Sequence, residues 1–170
     1  MNNLDYFIKY VRVSTQSDDT TGTTPSTERQ KDLGRILVQD LLDLGLSDAH
    51  MDKWGNVYGH LPGTGKLRIG LNAHMDTALE VTGENVKPCL VRRYQGNVIK
   101  LANGLTMSPE TFPSLKKHVG HDLVVTDGNT LLGADDKSGL AIIMSVLKFF
   151  HEHPKVEHHT LCIEIGRAHV

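Results

Sequence analysis

A histidine and an aspartate two residues apart, His74 and Asp76, close the segment Leu-Arg-Ile-Gly-Leu-Asn-Ala-His-Met-Asp. In an extended chain the period of two puts both side chains on one side. An imidazole with a carboxylate beside it is a metal ligand with a neighbour able to orient it. A second acidic pair, Asp135 and Asp136, follows Gly133 in the stretch 131–150, which reads as strand, short acidic loop and helix. Carboxylates at such a turn suit a hard or borderline cation. Each motif alone has a plain alternative, a surface strand end for His-x-Asp and an acidic helix start for Asp-Asp. Together, in this order and both at strand ends, they point to metal chemistry.

The elements that must position these groups follow from hydrophobic spacing. Leu67, Ile69 and Leu71 alternate with polar or small residues, which predicts a strand ending at His74. Leu4, Phe7, Ile8 and Val11 predict a short amphipathic helix, followed by a polar loop over 14–24. Thr27 and Gln30 match a capping box, and Leu33, Leu37, Leu41 and Leu44 form the stripe of a second helix that Gly45 ends. Residues 49–53 and 56–60 predict a hairpin around Trp54-Gly55. The stretch 77–121 reads as a long, weakly structured connection with a strand near 98–101 and a helical turn near 114–119; it is expected to shape a substrate site. Residues 123–126 and 130–132 predict another hairpin, joined by Asp127-Gly128-Asn129. A helix from Ser138 buries Leu140, Ile143, Val146, Leu147 and Phe150, with Asp136 as its cap and Lys137 solvated. The sum is an α/β domain, a mixed sheet flanked by helices, with its site beyond the carboxyl ends of strands.

Composition narrows the function classes. A net charge of -2 with 5% aromatic residues offers neither a basic surface for nucleic acid or membrane nor a stacking platform. No apolar run is long enough to span a bilayer, and the start of the chain lacks the apolar core of a signal peptide. Cys89 and Cys162 are too few and too scattered for a disulfide framework and read as packing thiols in a reducing, cytoplasmic setting. His151, His153, His158 and His159 crowd one segment; a metal-binding tract is weighed there against a solvated helix end broken by Pro154, which is preferred. His50, His60, His118 and His121 read as lone histidines. There is no Gly-x-Ser-x-Gly elbow and no phosphate-binding Gly-Lys loop.

Four segments, Pro-Ser-Thr-Glu-Arg-Gln from Pro25, Asn-Ala-His-Met-Asp-Thr from Asn72, Gly-Glu-Asn-Val-Lys-Pro from Gly83 and Thr-Asp-Gly-Asn-Thr-Leu-Leu-Gly-Ala-Asp-Asp-Lys-Ser-Gly from Thr126, run in an order that resembles the N-terminal part of the peptidase T branch of the M20 metallopeptidase family. That resemblance implies a zinc-peptidase-like catalytic domain, here incomplete, over residues 1–163. It implies a two-zinc aminopeptidase that releases the N-terminal residue of tripeptides through metal-activated water. His74 would bind one Zn2+, Asp135 would bridge two, and Asp76 would be the catalytic carboxylate that orients His74. Its partners would be short peptides, with a homodimer formed through a lid domain that this chain lacks. The family's Glu-Glu pair and later ligands do not appear before Val170, so the chain itself is expected to be an inactive fragment. Another M20 amidase or carboxypeptidase, or a non-catalytic binding fragment, stands beside that reading. The ending Glu-Ile-Gly-Arg-Ala-His-Val matches the translation of a common sequencing adapter, so residues 164–170 are expected to be a non-native tail, and His169 is given no ligand role.

Overall fold

The computed structural model describes residues 1–168, so His169 lies outside the described residues. Helix α1, Asn3–Val11, opens on a reciprocal cap between Asn2 and Asp5. It buries Tyr6, Phe7, Tyr10 and Val11, while Leu4 and Ile8 sit on the flank. The expected stripe is therefore rotated. Tyrosine can take the inward positions because Tyr10 Oη donates to Asp40 Oδ2 at 2.8 Å.

Helix α2, Gln30–Asp43, buries Leu33, Leu37, Leu41 and, just past its end, Leu44, and Gly45 turns the chain at φ +91°. The expected capping box is absent. Thr27 Oγ1 donates to the Gln16 carbonyl at 2.8 Å, and the Gln30 amide donates to Ser26 Oγ at 3.1 Å. Backbone turns over 27–31 carry the chain into the helix, so Thr27 is free to tether the preceding loop instead.

Strands β1, His50–Met51, and β2, Val57–Leu61, form the predicted hairpin, with Asp52 accepting from the Trp54 and Asn56 amides in the turn. Strand β3, Gly65–His74, is the long one. The connection after it is more ordered than its sequence suggests. Strands β4, Cys89–Val91, β5, Ile99–Lys100, and β6, Thr106–Met107, precede a 3-10 helix, Pro113–His118, and strand β7, Leu123–Val125. β4 pairs with β7 and β5 with β6, over a second small core of Tyr94, Ile99 and Leu115. The expected hairpin of 123–126 with 130–132 does not form. β7 takes β4 as its partner, and 127–130 is held as a loop by Asp127, by Thr126 and by Asn103 Nδ2 on the Gly128 carbonyl. Cys89, expected to pack, is exposed on β4 because this two-stranded sheet keeps a wet face.

Helix α3, Ala134–Glu152, and strand β8, His159–Gly166, complete the chain. The main sheet runs β1-β2-β8-β3, with β8 antiparallel to β2 and parallel to β3. Leu161, Ile163 and Ile165 alternate along β8 and are buried with the apolar faces of all three helices in one core. In α3 the inward arc is Leu140, Ala141, Ile143, Met144 and Leu147; Val146, expected inward, lies with Ile142 and Phe149 on the opposite, exposed arc. β3 is one of the two edge strands of this sheet among the described residues, and Leu67 and Ile69 are exposed on it. β8 runs through Gly166, so the first residues of the expected tail are built into the sheet. No described helix is long and apolar enough to cross a membrane.

Candidate metal centre

His74 is the last residue of β3, at the end that lies beside Gly166 of the parallel strand β8. Its backbone is fixed by the ladder, so the imidazole leaves the sheet at its carboxyl edge. Two residues on, Asp76 is fully buried. His74 Nδ1 stands 3.1 Å from the Asp76 carbonyl oxygen and 3.2 Å from Asp76 Oδ1. Asp76 also accepts from Ser17 Oγ at 3.0 Å and from the Ala168 amide at 2.9 Å. A carboxylate this well held fixes the ring it faces.

Asp135 reaches the same ring from the other side. Its Oδ1 lies 3.1 Å from His74 Nε2, across 61 residues of sequence, and its side chain is 95% exposed. The expectation of a strand at 131–132 fails. Asp135 instead sits in the irregular first turn of α3, where it and Asp136 have non-helical backbone angles. Gly133 allows the turn, with φ at +72° and no room for a side chain: a β-carbon there would meet Thr77 Cγ2 at 2.9 Å. Asp136 Oδ1 accepts from the Gly139 amide at 3.1 Å, the cap expected of it. A β-carbon at Gly139 would stand 2.4 Å from that same oxygen and would displace the capping side chain.

Lys137 corrects the sequence reading most clearly. Expected in solvent, it is 2% exposed, and its Nζ donates to the Val13 carbonyl at 2.7 Å. Burial pushes its pKa down to about 8, and the Asp76 carboxylate pulls the other way. The irregular turn explains the placement, because regular helix starts only after Asp136. Lys137 then falls in register with Leu140, Ala141 and Met144, the inward arc. That spacing was the available signal. Ser17, which holds Asp76, lies in a polar loop where nothing in the sequence marks it.

The donor set suits a cation. Both ring nitrogens of His74 face oxygen acceptors, yet a neutral imidazole carries one N–H. A doubly protonated ring meets both, and so does a metal ion in place of the Nε2 proton. Two donors on a tetrahedral zinc at about 2.0–2.1 Å stand about 3.3 Å apart, close to the observed His74–Asp135 separation. Among the described residues, no group of three or more His, Cys, Asp or Glu side chains is gathered to hold an ion. A cleft of about 410 Å³ adjoins His74, lined by Asn72, Asp136, Glu164 and Arg167 among others. Several of the other described histidines have partners of their own. His118 and His121, read as lone, approach each other at 3.4 Å; His60 pairs with Asp48 at 2.6 Å; His153 stacks on Phe149 and His158 lies tilted against Phe150.

No family model matches the chain. Relatives do. The chain is 41% identical to the peptidase T of Clostridium acetobutylicum and 45% identical to that of Desulfitobacterium hafniense, each over 97% of this chain and 43% of the relative. It therefore spans less than half the length of the curated relatives it matches. Among solved structures it is similar to the aminopeptidase PepT from Bacillus cereus, with a TM-score of 0.63 at 22% identity, covering 96% of this chain and 35% of that one. The tripeptidase from Staphylococcus aureus gives a TM-score of 0.61 at the same identity and coverage. At such identities the structural likeness is one of fold.

Proposed function

We propose, for a chain that is homologous to peptidase T over 97% of its length, that the parent protein is a two-zinc aminopeptidase acting on tripeptides in the cytoplasm. The observation that carries the proposal is the meeting of His74 Nε2 and Asp135 Oδ1 at 3.1 Å, with Asp76 behind the ring. In this reading His74 and Asp135, whose carboxylate stands in solvent, are the residues of this chain that would hold the metal. Bound there, the ions would activate water and polarise the peptide carbonyl. Asp76 holds the imidazole so that Nδ1 keeps its proton and Nε2 stays a donor to metal. It is buried and accepts a hydrogen bond from the Ser17 hydroxyl.

We propose further that residues 1–163 are the N-terminal part of the catalytic domain and that 164–170 are a translated adapter. The wording of the last seven residues supports this. In the natural protein the contacts of Ile165 and of the Ala168 amide would then be made by other residues that continue β8.

Among the described residues, one imidazole and one aspartate, with an orienting carboxylate, leave a two-metal site short of ligands and without a base. Purified chain mixed with a tripeptide and Zn2+ is expected to release no N-terminal residue. Turnover abolished by a chelator would overturn that expectation.

A further inference from the structure

We infer that Lys137 is a positioning residue for the metal site: its buried ammonium clamps residues 13–17 against the Asp76 segment and so holds Asp76 under His74. The inference deepens the two-metal reading and rests on it, since it assigns a task to a side chain that neither binds metal nor touches substrate.

Three stretches of chain meet at Asp76. Residues 13–17 run alongside 75–77 through a ladder of their own: the Thr77 amide donates to the Thr15 carbonyl at 3.2 Å, and the Ser17 amide donates to the Thr77 carbonyl at 3.0 Å. Ser17 then turns its hydroxyl onto Asp76 Oδ2. This short segment thus supplies a hydrogen bond to the carboxylate that orients His74. Its near end is tied by Lys137, whose ammonium holds the Val13 carbonyl just past the end of α1. The lysine stem lies over Gly133, where a β-carbon would meet it at 3.7 Å and Thr77 at 2.9 Å, so lysine and threonine line the same gap. The third stretch is the first turn of α3, which carries both Lys137 and Asp135.

One side chain therefore links the turn that presents Asp135 to the segment that secures Asp76. Lys137 and Asp76 are both nearly or fully removed from water, so neither side chain is replaced in its task by solvent when its partner is lost.

The test is metal-free NMR of the whole 170-residue chain labelled with 15N-histidine, following the His74 Nδ1–H signal and its exchange with water. Lys137→Met is expected to speed that exchange about ten-fold or more by local opening, whereas Lys137→Arg, which keeps the charge, stays near wild type. Leu41→Ala, a core truncation in α2, controls for general loss of stability and is expected to leave the ranking intact. An unchanged signal in Lys137→Met overturns the inference. So does equal loss in Lys137→Arg, which would make the role one of packing alone, or equal loss in Leu41→Ala, which would make it global. A wild-type chain with no protected Nδ1–H would instead sink the underlying assignment of Asp76 as the residue that orients His74.

Discussion

Replacing Asp76 with asparagine keeps the shape of the site and removes its charge. The structure allows the consequence to be worked through atom by atom. Oδ1 faces His74 Nδ1 at 3.2 Å and the Ala168 amide at 2.9 Å, and the asparagine oxygen can stay there. The new amide group then faces Ser17 Oγ, which rotates from donor to acceptor. The count of these hydrogen bonds is preserved, but those on Oδ1 fall from charge-assisted to neutral, from about 1.5–3 to about 0.5–1.5 kcal/mol each. Lys137 also loses the carboxylate that offsets its burial. Asp76→Asn is therefore expected to lower unfolding free energy by about 2–4 kcal/mol and metal affinity about 10–100-fold. Urea unfolding followed by circular dichroism measures the first, and Co2+ titration measures the second. Asp76→Ala should cost more, because Ser17 and the Ala168 amide then lose their acceptor. A variant Asp76→Asn as stable as wild type, with unchanged metal affinity, would refute the claim that this carboxylate organises the site.

Tyr10 should give the protein an alkaline limb. Burial first, then the Asp40 charge, holds its hydroxyl far above the ordinary 10.0. Its contribution is complete below pH 10 and lost above it, because only the unfolded chain ionises there, at about 1.4 kcal/mol per pH unit. Urea midpoints at pH 9 to 11 should fall less steeply in Tyr10→Phe. Gly133→Ala forces a β-carbon to 2.9 Å from Thr77 Cγ2 at a left-handed residue, and should cost about 1–2 kcal/mol in the same assay. An unchanged midpoint would mean that the first turn of α3 accommodates a side chain at Gly133. Reading the coding DNA past Ile163 should show adapter sequence; an uninterrupted native strand followed by a Glu-Glu pair would remove that idea.

How much of this was legible in the sequence depended on the reach of each interaction. The leucine stripe of α2 and the β1–β2 hairpin follow from local periodicity and turn chemistry, and both stand. His74 and Asp135 do approach to 3.1 Å, but the choice of Asp135 over its neighbour Asp136 came from the family resemblance and not from any local rule. The pairing of β7 with β4 was not legible. Turn residues at 127–129 favoured the local partner, and the competing strand lay some thirty residues back in an unpatterned stretch. The capping box failed because Thr27 had a tertiary acceptor, Gln16, that no local rule includes. Lys137 was misread by charge alone, although its spacing from Leu140, Ala141 and Met144 placed it inward. Leu67 and Ile69 marked a strand correctly while saying nothing about whether its outer face is covered.

The most direct test of the whole account is a Zn2+ titration of the 15N-histidine-labelled chain. His74 Nε2 should shift saturably, with Nδ1 remaining protonated, and Asp135→Ala should weaken the effect about ten-fold or more, as expected for loss of one of two ligands. An unmoved His74, with the ion taken instead by His118 and His121 or by the histidines of 151–159, would contradict it.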